Sequence, residues 1–531
     1  MVQSNTRYVT ASAGTASEGW MLERLTPPSR LFGANGLRTG PDGRIYVAQV
    51  SGSQISAVDP NTGLVEAISA KGGDIIAPDD LVFDDAGNIF ATEITEGRVS
   101  MRRPNGQTKI VYGNIPCANP ITMYRGRLFA GECRVGGRIM ELDLNGGAPR
   151  IILENVPMPN AMEVGPDGML YIPIMGTNEI WRVPLEGGAP QTVATGLGVP
   201  DAVKFASDGS IVSTQVASGQ VLRIDPRSGQ QTVLANIAPG LDNLTFVGER
   251  LFVSSISGQI NEVLGDGKVR SVVPDGFNWP LGLAMGSDGA LFVADGPYSY
   301  TLRPGGERQL AGMLFTPGSP GYCRGAVASG LGEVIVTTSL GQVSRWNPAK
   351  QEHEVLAQGF NRLYGVAVAS DGAVVFAEAG GGRMMSVKNG KVEELGTGLR
   401  EPLGVAVKSD GVCLASEEGA GRVVKLSGGR AETVLDGLQK PQGILTRGET
   451  LYIVDVGAKE LIAYDMARKT RATIASGLPV GAPAGVTAKF LGSIGDMSGP
   501  MGPFAGIAAG IDGALYISAD AEGSVLALRP A

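Results

Sequence analysis

Apolar and polar residues alternate along most of this chain in short runs, a two-residue period that predicts β-strands rather than helices. The run "RIYVAQV" (residues 44–50) follows "PDG", a turn in which proline and glycine supply the backbone angles of the bend. The same grammar begins at "ANGL" and recurs as "DDLVFDDAGNIFATEI", "NPITMYRGRLFAGEC", "NAMEVGPDGMLYIPI", "DAVKFASDGSIVSTQ" and "DNLTFVGERLFVSSI". Six further copies follow, from "LGLAMGSDGALFVAD" to "AGIAAGIDGALYISA". A third strand such as "GQVLRIDP" and a fourth such as "QTVLANI" complete each unit. Four short strands per unit of about 40 residues is the pattern of a propeller blade. The expected class is all-β: twelve four-stranded blades arranged as two tandem six-bladed β-propellers.

Twelve blades exceed the four to eight of an ordinary ring, which is the reason for dividing them. The first residue of each inner strand supports the division. It is Asn35, Asp79, Asn119, Asn160, Asp201 and Asp242 in the first six repeats, then Leu281, Arg324, Tyr364, Leu403, Gln442 and Ala505. The expected domains are therefore an N-terminal segment (1–34), a first propeller (35–275) and a second (276–531). Repeat 12 stops after its third strand, so residues 20–26 are expected to supply the missing one. A Gly/Pro-rich insertion, 477–503, is long enough to fold over a channel mouth with Lys489, Phe490 and Met497 facing a ligand, or to be disordered.

Composition narrows the chemistry. Glycine is about 15% of the chain against roughly 7% on average, which suits many tight turns. The single histidine, His353, sits among charged residues in an outer-strand pattern, so His-based triads and His-rich zinc sites are excluded. Cys117, Cys133, Cys323 and Cys413 show no C-x-x-C pairing and read as buried free thiols, with a Cys117–Cys133 disulfide as the alternative. A net charge of −8 argues against nucleic acid or an anionic membrane as partner. There is no membrane-spanning apolar run and no secretory leader pattern, so the expected setting is cytoplasmic and the expected partner a small-molecule substrate.

The six Asn and Asp heads recur 40 to 44 residues apart, one blade each, so they should converge at one mouth of the first channel. Asn and Asp also favour strand entries because they bond nearby backbone, but the second ring makes the same turns without them. Three clustered carboxylates repel unless protons or a cation compensate. An oxygen-only donor set suits a hard divalent cation, Ca²⁺ first, with Mn²⁺, Zn²⁺ or Mg²⁺ as alternatives. The second strand of each blade returns to the same mouth, ending at Gln49, Glu93, Glu132, Ile174, Gln215 and Ser255. Glu93 and Glu132 are candidate general bases; Gln49, Arg134 and Gln215 are candidate substrate anchors. The competing reading makes them solvated rim residues, and Asp295, Glu378, Glu417 and Asp455 of the second ring read as turn stabilisers.

At these residues the chain resembles the gluconolactonase and senescence-marker-protein (regucalcin) family of six-bladed propellers, with NHL-type repeats as broader kin. "NGLRTGPDG" and "NAMEVGPDG" match its Asn context; "PDDLVFDDAG" and "PDAVKFASDG" match its Asp context. The resemblance implies an axial divalent cation held by one Glu, two Asn and one Asp. Successive blades reproduce Asn, Asn, Asp as Asn119, Asn160 and Asp201. The nearest match to the family's Glu segment, "SEGW" with Glu18, precedes an outer strand, leaving Asp79, Asp242 or Asn35 for that role. The implied activity is metal-dependent hydrolysis of a lactone or similar cyclic ester, with Asp201 as the base. A metal-assisted lyase and a non-enzymatic double-propeller scaffold are the alternatives. The propeller lyase that opens streptogramin lactones uses a histidine for which this chain has no counterpart.

Overall fold

The computed structural model describes residue 7, residues 14–303 and residues 306–531; residues 1–6 and 8–13 of the N-terminal segment lie outside the described residues. Forty-nine strands and one 3₁₀ turn, Glu418–Ala420, make up the regular structure among them. The strands form twelve antiparallel sheets. Blade 1 is typical: Leu37–Thr39 innermost, then Ile45–Gln49, Gln54–Val58 and Val65–Ala67 at the outer edge.

The chain is all-β, two six-bladed propellers in tandem. Neighbouring inner strands touch in a closed cycle in each. In the first, Leu37–Thr39 meets both Pro78–Phe83 and Leu241–Val247; in the second, Leu283–Met285 meets both Cys323–Gly330 and Ile507–Ala509. Contacts divide the described chain into two compact units, residues 30–276 with 491–496, and residues 14–29, 277–490 and 497–531. Trp20–Arg24 pairs with Ser524–Pro530 as the outer strand of blade 12, and Thr15–Ala16 extends the edge of blade 11. Apolar faces of adjacent blades pack together, as where Leu81 and Ala91 of blade 2 meet Tyr46 and Ile55 of blade 1. Among the described residues no helix is long and apolar enough to cross a membrane.

A repeated irregularity aims the inner strands. The ladder slips between Pro78 and Leu81, Ala118 and Ile121, Pro200 and Val203, and Leu241 and Leu244. Each slip contains the residue at the strand head, and a bulge of this kind re-aims the side chain it carries. Two residues before every head in the first ring the backbone is left-handed, at Gly33, Ala77, Cys117, Met158, Val199 and Gly240. For a β-branched residue such as Val199 (φ 61°) that conformation is costly and persists only where the surroundings impose it.

Candidate functional site

The inner-strand heads of the first ring are all buried: Asn35, Asp79, Asn119, Asn160, Asp201 and Asp242. Asn35 Nδ2 donates to Asp242 Oδ2 at 3.1 Å, linking blades 1 and 6. Asn160 Nδ2 donates to Asp201 Oδ2 at 2.8 Å, linking blades 4 and 5. Each amide is oriented by its own oxygen, which accepts from the Val50 N–H in one case and the Ala161 N–H in the other. The Asp79 carboxylate and the Asn119 amide on blades 2 and 3 have no hydrogen-bond partner among the described residues. Backbone positions are latched as well. The hydroxyls of Thr92 and Ser254 donate to the carbonyl oxygens of Asn119 and Asn35 at 2.8 and 2.7 Å.

Burial drives the Asp79 carboxyl well above the ordinary carboxylate range, and the charges of Asp242 and Asp80 push it further. Asp201 is raised by burial, then by Asp79 and Asp80. Burial and Asp201 raise Asp242, against the hydrogen bond from Asn35. The three acids therefore sense one another across the ring, as like charges in a low-dielectric site must.

Beneath the mouth lies a charged layer that the sequence reading missed. Glu163 of blade 4 accepts from Arg38 of blade 1 at 2.8 Å and from Lys204 of blade 5 at 2.5 Å. The Arg38 guanidinium also donates to the carbonyl oxygens of Leu81 and Ile121 at 3.1 and 3.3 Å, so one side chain ties blades 1, 2, 3 and 4. Burial would raise Glu163, but Lys204 and Arg38 outweigh it and hold the carboxyl at about 2. Asp80, fully buried, accepts from Asn243 Nδ2 at 3.3 Å. In retrospect the signal was available: Arg38, Glu163 and Lys204 each stand three residues after a head.

The strand-end residues are differently occupied. Glu93 receives Arg98 at 2.7 Å and the Ile76 N–H at 2.9 Å. Glu132 is held by Arg134 at 2.9 Å and by Arg138. Gln49 accepts the Phe32 N–H and donates to Ser56, both at 2.9 Å; Gln215 accepts the Gly198 N–H and donates to Ser213, also at 2.9 Å. In the second ring Glu378, Glu417 and Asp455 accept the N–H groups of Asn361, Arg400 and Gln439 in the same way. With Asp295, which accepts the Asn278 N–H, and without Glu132, seven of these positions across two dissimilar rings thus fasten the connection that enters their own blade. Glu18 is exposed, and His353 is exposed on an outer strand of blade 8. All four cysteines are free thiols.

The donor chemistry of the mouth fits a hard cation: six oxygen-bearing side chains, no imidazole, and acids that raise one another. Among the described residues no three His, Cys, Asp or Glu side chains form a group able to hold a metal, so a cation here needs amide oxygens as well. Residues 491–496 belong to the same compact unit, with Gly492 beside Thr95 and Gly495 beside Cys117, two residues before Asn119.

Residues 12–257 match the family model described as SMP-30/Gluconolactonase/LRE-like region, which bears out the resemblance over the first ring. No curated protein matches the chain. Solved structures that resemble it include a virginiamycin B lyase from Staphylococcus aureus, 16% identical, with 52% of this chain and 96% of that one covered and a TM-score of 0.39. A gluconolactonase from Xanthomonas campestris is 15% identical, with 46% and 93% covered and a TM-score of 0.39.

Proposed function

With the gluconolactonase-family match over residues 12–257 as the premise, we propose that the first ring hydrolyses a lactone or similar cyclic ester at its Asn/Asp mouth. The observation that carries this reading is the buried, in-register ring of three acids and three amides, which nothing in blade packing requires. Asn119, Asn160 and Asp201 would hold a divalent cation, with Asp79, Asn35 and Asp242 completing the ring. When bound, such an ion supplies positive charge at a carbonyl oxygen as negative charge develops there.

Asp201 is the general base. Its Oδ2 is fixed by Asn160, while Oδ1 has no partner among the described residues and is free to accept a proton from water. The attacking water forms the new C–O bond, the ring C–O bond breaks, and the proton taken by Asp201 passes to the departing ring oxygen. The product is a hydroxy acid. Glu93 and Glu132, each clamped by arginine, are given no part in the transfer. His353, exposed on an outer strand, gives an elimination mechanism no imidazole to use.

Elemental analysis of the purified protein, followed by a lactone screen before and after exhaustive chelation, is the test. The expected outcome is a bound divalent ion, lactone hydrolysis abolished by chelation, and recovery on adding Ca²⁺, Mn²⁺ or Zn²⁺. Undiminished lactone turnover by the metal-free protein would remove the cation from the mechanism. An ion-free protein inert to every lactone and ester would favour the scaffold reading.

A further inference from the structure

The second ring has an unassigned cavity of its own. About 690 Å³ in volume, it stands where the inner strands of blades 9, 10 and 11 begin, with Tyr364, Leu403 and Gln442 in its wall. That volume lies within the range of small-molecule sites. Its roof is the Gly/Pro-rich insertion, from Gly477 to Phe490 with Pro503. Phe490 is the one of the three sequence-nominated residues in the lining; Lys489 and Met497 are not part of it.

The roof is tied down on several sides. Lys459 Nζ donates to the carbonyl oxygens of Val480 and, at 2.6 Å, Ala482. Asp520 accepts the Gly481 N–H at 2.8 Å, and the Ala521 N–H donates to Pro479 O at 3.2 Å. At the far end the Ala505 N–H reaches Gln442 Oε1 at 2.6 Å.

Charge and shape select the occupant. The apolar wall is Leu403, Val456, Leu478, Val480 and the Phe490 ring. Lys459 is spent on the roof, and Gln442 is spent between Ala505 and Glu418, whose Oε2 it meets at 2.8 Å. What remains is two cations, Arg362 and Lys440, set against two acids, Glu401 and Glu418. The Arg362 guanidinium lies 4.5 Å from the centre of the Phe490 ring, and its Nε has no hydrogen-bond partner among the described residues. Its ion-pair partner, Glu401, stands 3.4 Å away and is exposed, while Glu418, which also feels its charge, is already bonded by Gln442. The Lys440 ammonium lines the cavity and lies close enough to Glu418 to act on its charge. Arginine's fixed fork is the side chain best suited to a planar carboxylate.

We propose that this cavity binds a small organic carboxylate with an apolar or aromatic body, its anionic group at Arg362 and Lys440 and its body against Leu403, Val456 and Phe490. The site is separate from the Asn/Asp mouth and does not depend on the hydrolase reading.

Isothermal titration of the full chain with 2-naphthoate, and with neutral 2-naphthamide as its control, tests the proposal. The expected result is one naphthoate per chain, with the amide and the Arg362→Gln variant each weaker by about tenfold or more, the loss that removing one charge-assisted hydrogen bond gives. Val486→Trp, on the roof, should obstruct naphthoate while leaving thermal unfolding near that of the parent. Asp201→Asn should bind naphthoate as the parent does. The proposal is overturned if naphthoate fails to bind at about 1 mM, if acid and amide bind alike, or if a folded Arg362→Gln binds as the parent does. Loss of binding in a folded Asp201→Asn would also overturn it, by locating the probe in the first ring.

Discussion

The two rings repeat one blade and fill their axes in opposite ways. In the first, the head position carries Asn and Asp, and the position after it is Gly36, Asp80, Pro120, Ala161, Ala202 and Asn243. In the second, the heads are chemically mixed and the following position is glycine in every blade: Gly282, Gly325, Gly365, Gly404, Gly443 and Gly506. A β-carbon at any of these six would stand 2.1–2.6 Å from a carbonyl oxygen of the next inner strand. Backbone packed against backbone leaves about 40 Å³ on that axis. In the first ring Gly36 alone makes such an approach, to Asp79 O at 2.6 Å, and the other five positions carry side chains, Asp80 among them charged. One axis is sealed by contact and the other is held by a polar network, which is why the acids collect in the first.

Several substitutions put that contrast to the test. The largest effect is expected at the acid itself: Asp201→Ala should lower kcat/KM for a lactone by about 10²–10⁴-fold. Leu281→Ala, at the head of an inner strand in the second ring, should leave the rate within about twofold of the parent, less than about 1 kcal/mol in the barrier. Steady-state kinetics decides both, and equal losses would erase the functional distinction between the rings.

Next comes the glycine position. Gly325→Ala would put a methyl group 2.1 Å from Tyr364 O, where no flexible side chain can yield. It should cost about 3 kcal/mol or prevent folding. The reverse change at the equivalent first-ring site, Ala202→Gly, should cost about 1 kcal/mol. Urea denaturation separates the two.

Lys204→Met removes one of the two cations on Glu163 while Arg38 remains, so a loss of about 1–3 kcal/mol is expected, again in urea. In the second ring burial raises Asp295 to about 7, against the bonds it accepts from the Asn278 and Trp279 N–H groups. A carboxyl whose folded proton affinity exceeds its unfolded one stabilises the fold at low pH and loses that contribution as pH rises towards 7. Asp295→Asn should therefore flatten the decline of the melting temperature between about pH 4 and 7. The smallest change is expected from Val199→Gly, which relieves a left-handed β-branched residue and should stabilise by about 1 kcal/mol or less.

Much of this was legible in the sequence. The alternation and turn residues pointed to twelve blades, and the register of Asn35 to Asp242 pointed to the mouth. The strand-end acids were legible only as positions. Whether Glu93 faces a substrate or the Ile76 N–H depends on where the preceding connection runs, and spacing alone does not say. The Arg38–Glu163–Lys204 layer escaped because its members lie 125 and 41 residues apart along the chain. Their shared register, three residues after a head, marks the positions, but which of them meet across the ring is set by blade geometry that the register does not contain.

Strand period, turn chemistry and repeat register are local properties of the chain, so residue order alone was enough for the blades, their number and the polar character of one channel, though not for the extra strand Thr15–Ala16 on blade 11. Folding in three dimensions settled the rest: which acids are paired and which stand open, that six glycines let neighbouring inner strands touch, and that the 477–503 insertion roofs a cavity. Those outcomes depend on distances between blades, which ring closure sets and no single repeat contains.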